Sequence, residues 1–428
     1  MNKTPQITKD YTSQGWIVVL TSALFFFYEF IQLNLFNAID MDLMKAFNLN
    51  APQLGQLASM YFYANVIFLF PAGIMLDRFS TKKILIMATL ICIVGTLIFG
   101  LSTNYLMAAV GRFIVGSGAA FCFLSCIRVA SRWFPPRKMA FVTGVVVTMA
   151  MLGGLVSQTP FAILSSHIGW RNAVLIDVGL GVLIVAAIAT FVQDRPPNSQ
   201  QARDAEHAHL QHLGLWQGIR LVLSNPYNWL CGLYTSLLNL PVFLLGALWG
   251  IHYLVQVHHL TLVQGSYATT LFFLGVVFGC PAFGWFSDRI GRRVMPMIVG
   301  AVLSLIVILI LMYVPNLSLS SLIILFFLIG FVTSSQVLSY PTIAELNPLA
   351  LTGTAVSIDS VTIMLGGAIF QPFFGWVMES HWDHKIVNGV SIYSPQDFNY
   401  AMMIMPIAFV VGLIIAFFIK ETNCQSRA

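Results

Sequence analysis

Apolar residues gather in twelve runs separated by short polar turns, at 16–39, 53–76, 83–101, 105–127, 139–165, 171–192, 226–251, 262–286, 294–314, 319–343, 353–378 and 399–419. Each run is near the ~20 residues that a helix rising ~1.5 Å per residue needs to cross a bilayer core. The pattern predicts an all-α membrane protein of twelve transmembrane helices. One long polar stretch, 193–225, interrupts it with DRPPNSQQARDAEHAHLQH, which is linker-like in composition. It divides an N-terminal six-helix bundle (1–192) from a C-terminal one (226–428).

Composition agrees with a membrane setting. Only 9% of the 428 residues are charged and 58% are hydrophobic, whereas a soluble domain carries about 25% charged residues. Basic residues then set the orientation. With the N-terminus placed in the cytoplasm, Lys45, Arg171 and Lys385 fall outside, Arg112 lies within a span, and the other 17 of the 21 Lys and Arg fall inside. Both termini are therefore expected in the cytoplasm, at a bacterial inner membrane, and the net charge of +5 reports orientation, not nucleic-acid binding. The first run is too long for a signal-peptide core and is read as retained. The six cysteines show neither zinc-site spacing nor a disulfide framework. No metal or cofactor is expected, and the chain is expected to act as a monomer in the lipid bilayer.

The two halves echo each other. GIMLDRFSTKK (73–83) matches GWFSDRIGRR (284–293) at an offset of 211, and MLGGLVSQTPF (151–161) matches MLGGAIFQPFF (364–374) at 213. Two pairs at nearly one offset indicate duplication of a six-helix unit, giving two pseudo-symmetric bundles. Duplicated bundles of this kind hold a small-molecule site near the midplane between their halves.

The G-x-x-x-D-R pattern at 73–78, with its trailing basic residues, resembles motif A of the major facilitator superfamily. GRFIVGSGAAF (111–121) resembles motif B, with Arg112 followed by Gly116. The resemblance covers essentially the whole chain. It implies that the first, fourth, seventh and tenth helices line a central cavity. It also implies gating by Asp77 and Arg78 in the first half and by Asp288 and Arg289 in the second. Gly73 is expected to permit close helix approach. No acid lies between Ile127 and Lys138 to pair with motif A, while Glu345 stands at the matching place in the second half (opposite Arg132), so the two latches are expected to be unequal. Motif C of the antiporters is missing: Gly144 and Gly153 are present, but Ser157-Gln158 replaces Gly-Pro. Uptake is favoured over drug export.

Glu29 lies about thirteen residues into the first run, near the bilayer middle, where a carboxylate costs about 2.5 to 3.5 kcal/mol on insertion scales. Glu29 and Arg112 are the charges placed deep in the four cavity helices. Bridged to each other they stay charged; alone in apolar surroundings, Glu29 takes up a proton and becomes the coupling site of a symporter. Gln32 shares its helix face. A neutral pole is expected from Tyr234, Asn239 and Trp249 on the seventh run and Ser335, Gln336 and Tyr340 on the tenth. Gln158 and Gln371 precede Pro160 and Pro372, where helices bend. Asp177 and Asp359 stand outside this primary set.

These residues point to a secondary transporter working by alternating access, with proton-coupled uptake of an amino acid or short peptide as the main expectation. RWFPPRKMAFVTG (132–144), GALWGIHYL (246–254) and SYPTIAELNP (339–348) resemble stretches of the phagosomal transporter group of bacterial amino-acid and nucleoside importers. An organic anion, polycarboxylate or siderophore carrier is the alternative, because Arg112 alone welcomes an anion. A non-transporting membrane sensor or receptor is the reading from a different class. No nucleophile–base constellation or metal-ligand cluster marks an enzyme.

Overall fold

Helix starts at the membrane rim carry their own polar caps, because the first N–H groups of a helix lack intrahelical partners and lipid offers none. Asn50 and Gln53 form a capping box at the second span, the helix Ala51–Arg78. Ser80 caps the third (Thr81–Gly100) and Asn104 the fourth (Tyr105–Trp133). Thr261 with Gln264 caps the eighth (Leu262–Ile290), Ser318 the tenth (Leu319–Leu346), and Ser394 with Asp397 the twelfth (Pro395–Phe418). The remaining spans are the first (Ser13–Asn34), fifth (Val142–Ile168), sixth (Trp170–Phe191), seventh (Pro226–His258), ninth (Val294–Tyr313) and eleventh (Ala355–His381). Eleven of these are long and apolar enough to cross a membrane. The second, a helix of 28 residues, completes the twelve that the pattern predicts.

This computed structural model describes residues 10–134, 139–196, 215–347, 352–383, 385–387 and 390–424. Of the polar stretch 193–225 it describes 193–196 and a helix Leu215–Ser224 that leads into the seventh span. A two-stranded hairpin pairs Ile386 with Ser391 and Val387 with Val390 before the twelfth span.

Several spans are broken. The first stops at Asn34 and continues as Phe36–Phe47, well beyond the expected end at residue 39. The fifth breaks at Gln158, whose ψ of −105° is non-helical, and resumes at Thr159 with Pro160 in its first turn. The predicted bend at Gln158 is thus a real interruption, whereas Pro372 sits inside an unbroken helix Thr352–His381. The seventh passes through a π-helical stretch, Val242–Trp249, and the tenth through a 3₁₀ turn, Ser334–Leu338. Such stretches are frequent at functional sites and hinges.

The two halves share one packing pattern. The first span packs on the fifth as the seventh does on the eleventh; the second packs on the fourth as the eighth does on the tenth. The third touches the fourth and sixth as the ninth touches the tenth and twelfth. Between halves, the second meets the eleventh and the fifth meets the eighth, as a pseudo-two-fold requires. The contacts gather at the face opposite the termini. A Cβ on Gly55 would come within 2.7 Å of Gln371 O, and one on Gly375 within 2.4 Å of Ala51 O. Phe62 meets Phe243 edge-on at 5.0 Å, and the hydroxyls of Thr159 and Thr270 lie 2.7 Å apart. At the terminal face Gly73, Gly144 and Gly284 have no neighbour within 4 Å of an added Cβ. The close approach expected at Gly73 is therefore not made in this arrangement.

Candidate functional site: three polar clusters

The first cluster lies inside the N-terminal half. Gly116 lets the fourth span press onto the second, since a Cβ there would sit 2.0 Å from Tyr61 O. That contact sets Arg112 beside Tyr61 and the first span. The Arg112 guanidinium donates from Nη1 to Gln32 O at 2.8 Å and lies over the Phe36 ring at 4.4 Å and the Tyr61 ring at 5.2 Å. Tyr61 donates its hydroxyl to Glu29, and Gln32 donates its amide to Asp177 on the sixth span. Glu29 and Arg112, expected as a possible bridge, are neighbours without an ion pair or hydrogen bond between them. Glu29 Oε2 and Arg112 Nε have no hydrogen-bond partner, and neither do Asp177 Oδ1 and the Tyr28 hydroxyl. All of these residues are buried. Unpaired buried polar atoms of this kind are rare in proteins and mark places where a proton, water or ligand belongs. Asp177, left outside the primary set by sequence reasoning, is a full member of this cluster.

A second cluster lies in the C-terminal half. Gln336 donates its amide to Asn239 Oδ1 at 2.7 Å, joining the tenth span to the seventh where the tenth is 3₁₀. The Thr235 hydroxyl reaches Gln336 O at 3.4 Å, and Tyr340 is half-buried one turn further on. Tyr234 is not with them. Its hydroxyl points into the C-terminal bundle, donating to Met297 O at 2.7 Å beside Ser335 Oγ at 3.1 Å.

The third cluster closes the face opposite the termini. Asn37, beyond the break in the first span, donates to Leu245 O and Gly246 O, each at 2.9 Å, and to Gln158 Oε1 at 3.0 Å, and it accepts from Ile251 N at 2.9 Å. Those carbonyls belong to the π-helical stretch of the seventh span. Gln158 also donates to Gly246 O at 3.0 Å, and Gln371 to Phe243 O at 2.9 Å. Asp40 Oδ2 lies 2.7 Å from His252 Nδ1, with both side chains wholly enclosed. Trp249 stacks on Phe374 at 5.6 Å in the same region. Gln158, Gln371 and Trp249, expected near substrate, thus sit in the closure between halves. Asn37, Asp40 and His252 were missed. Their residue types, polar at the edge of an apolar run, are too ordinary to single them out.

The residues expected to gate in the second half lie at the terminal face. Arg293 binds Glu345 at 2.8 Å and Asp288 at 2.6 Å. Arg289, expected in that role, lies over the Trp285 ring at 5.1 Å. Glu421 accepts from the backbone N–H of Arg293 and Val294 at 2.8 and 2.9 Å, capping the ninth span. Burial works against its charge, but these donors, with those of Asn423 and Thr422, hold its carboxyl below the usual range. The first half repeats the device with different residues. Asp194 accepts from Lys82 N at 2.8 Å and from Ser80, and lies 4.0 Å from Arg132, which also donates to Thr81 at 2.9 Å. The acid absent between Ile127 and Lys138 is thus supplied from beyond the sixth span. The side chains of Asp77 and Arg78 lie outside the described residues.

The family profile of the Major Facilitator Superfamily matches residues 18–268 and 235–423. A probable sulfoacetate transporter of Cupriavidus necator is 30% identical over 172 residues, 40% of this chain and 39% of that one. A probable hexose phosphate transport protein of Chlamydia pneumoniae is 22% identical over 260 residues, 56% of this chain and 57% of that one. The chain therefore matches about two-fifths to three-fifths of the length of these relatives. Among solved structures, a D-xylose–proton symporter superposes with a TM-score of 0.76 at 15% identity, covering 96% of this chain and 99% of that one. Relatives with such different cargoes do not single out the amino-acid and nucleoside importer group. With twelve helices, the repeated packing and a profile spanning nearly its whole length, the chain belongs to the Major Facilitator Superfamily, a family of transporters and not of enzymes.

Proposed function

We propose that the protein is a secondary transporter that carries a small organic anion by alternating access, with a proton on Glu29 as the coupling ion. The observation that carries the reading is the first cluster: a buried arginine and a buried glutamate, neighbours without an ion pair, each with an unpartnered polar atom. Intramembrane ionisable residues in this state are functional by default. Arg112 has no carboxylate committed to it, so its positive field is available to an anion arriving between the halves. Sulfoacetate and hexose phosphate, the cargoes for which the two relatives are named, are both anions. With the termini in the cytoplasm, the closed face is the external one, and this arrangement is inward-facing.

An amino acid or short peptide is the second reading, favoured because Glu29 and Arg112 together offer both charge poles. Proteoliposome uptake separates the two. Sulfonates, sugar phosphates and dicarboxylates are tested against amino acids and dipeptides, each with and without a proton gradient. Saturable uptake of anions alone supports the first reading, and uptake confined to zwitterions replaces it with the second. No flux of any of these, with ligand-dependent thermal shifts retained, would favour a membrane sensor. Glu29→Gln is expected to abolish gradient-driven accumulation while sparing substrate exchange; unchanged accumulation removes the proton from Glu29.

A further inference from the structure

Two acids are buried among the described residues of the second half, Asp397, which caps the twelfth span, and Asp359. Asp359 sits about two turns inside the eleventh span, wholly enclosed, with neither carboxyl oxygen hydrogen-bonded. The hydroxyls of Thr235 on the seventh span and Tyr340 on the tenth lie beside the carboxyl group without completing a bond to it. Cys231 faces it from the seventh span. Gly232 makes room, since a Cβ there would meet Asp359 Cα at 3.5 Å and Thr362 Oγ1 at 2.5 Å. The charged groups on the neighbouring elements are engaged or remote. Glu345 of the tenth span is held by Arg293, and Arg220, on the helix Leu215–Ser224 packed against the eleventh span, is exposed. Among the described residues no lysine, arginine or histidine pairs with Asp359.

We propose that Asp359 is a proton-binding site of the C-terminal half, discharging toward the terminal face through Tyr340. An ionised carboxylate with no partner is far costlier to remove from water than the neutral acid, so an enclosed group in these surroundings carries a proton. Tyr340 is the neighbour through which the exit is proposed to run, a half-buried residue beside the sealed Asp359. The carboxyl O–H passes its proton to the Tyr340 oxygen as Tyr340 gives its own to water. A carboxylate and a neutral phenol remain, with no ion left on the relay. Thr235 beside Asp359 touches Gln336, which holds Asn239. A change of charge on Asp359 is thereby felt at the polar groups of the second cluster.

This deepens the transport reading, but its test reads the proton and needs no substrate, so its failure leaves that reading standing. Infrared difference spectra of the purified protein in lipid report protonated carboxyl groups directly. Asp359→Asn is expected to remove one protonated-carboxyl band that Glu29→Gln and Asp177→Asn leave in place. Asp359→Glu is expected to move that band, which keeps the test valid if the asparagine variant does not fold. Tyr340→Phe should retain the band and slow its hydrogen–deuterium exchange at least tenfold. A protonated-carboxyl region unchanged in folded Asp359→Asn would overturn the site, and an unchanged exchange rate in Tyr340→Phe would overturn the relay.

Discussion

Breaking the Asp40–His252 contact should tip the protein toward opening at the face that is closed here. The two side chains belong to different halves, 212 residues apart, and both are wholly buried at 2.7 Å. Their contact exists only while that face is closed, because opening separates the first span's extension from the seventh span and hydrates both groups. Removing one partner of a buried hydrogen bond leaves the other unsatisfied, at a cost of about 1 to 3 kcal/mol. Asp40→Ala or His252→Ala therefore shifts the closed-to-open ratio by about 5- to 150-fold. Spin labels at Lys45 and His259, both exposed near that face on opposite halves, report the distance by double electron–electron resonance in a background lacking the native cysteines. The expected result is growth of a longer-distance population in each single variant, with the double variant showing less than the sum of the two. Unchanged distance distributions, or fully additive shifts, would refute a latch and leave the pair as ordinary packing.

Three further expectations concern stability and gating. Gly116→Ala would place a methyl 2.0 Å from Tyr61 O, an overpacking worth about 1 to 3 kcal/mol, and should lower the melting temperature in detergent; full wild-type stability would show that the fourth span has slack. Replacing Glu345 with Gln leaves the largely buried Arg293 with Asp288 as its remaining acid and weakens the contact to Thr422, so the segment 421–424 should loosen and Cys424 should label faster with thiol reagents; unaltered labelling would count against Glu345 as its anchor. Glu421→Ala should reduce thermal stability at neutral pH by about 1 kcal/mol or less, the scale of a helix cap at a half-exposed site. Because Glu421 is held below its unfolded range, its contribution is present above that range and fades as pH falls through the folded value. Variant and wild type should therefore converge in acid, and a difference that persists there would assign the effect to packing.

The helices, the repeat and the depth of the charges can be read from the chain alone. Each of these depends on how a single segment partitions between water and lipid, or on comparing one stretch of chain with another. Glu29 and Arg112 were legible because a charge in an apolar run is conspicuous wherever the helix packs. Their partners were not. Whether Arg112 meets Glu29 or Gln32 O, and whether Tyr61 reaches Glu29, depends on how closely the fourth span, through Gly116, approaches Tyr61 of the second and on where the first span lies beside them. Tyr234, Trp249, Gln158 and Gln371 have the chemistry of a binding site, and in this arrangement their polar atoms or rings are engaged within the C-terminal bundle or in the closure between halves. The Asp40–His252 contact, the Asp194 and Glu421 caps and the isolation of Asp359 arise between residues distant in sequence. Hydrophobic periodicity places a helix in the membrane and is silent about its rotation and neighbours, so only the tertiary packing decides which buried polar atoms find partners and which are left without one.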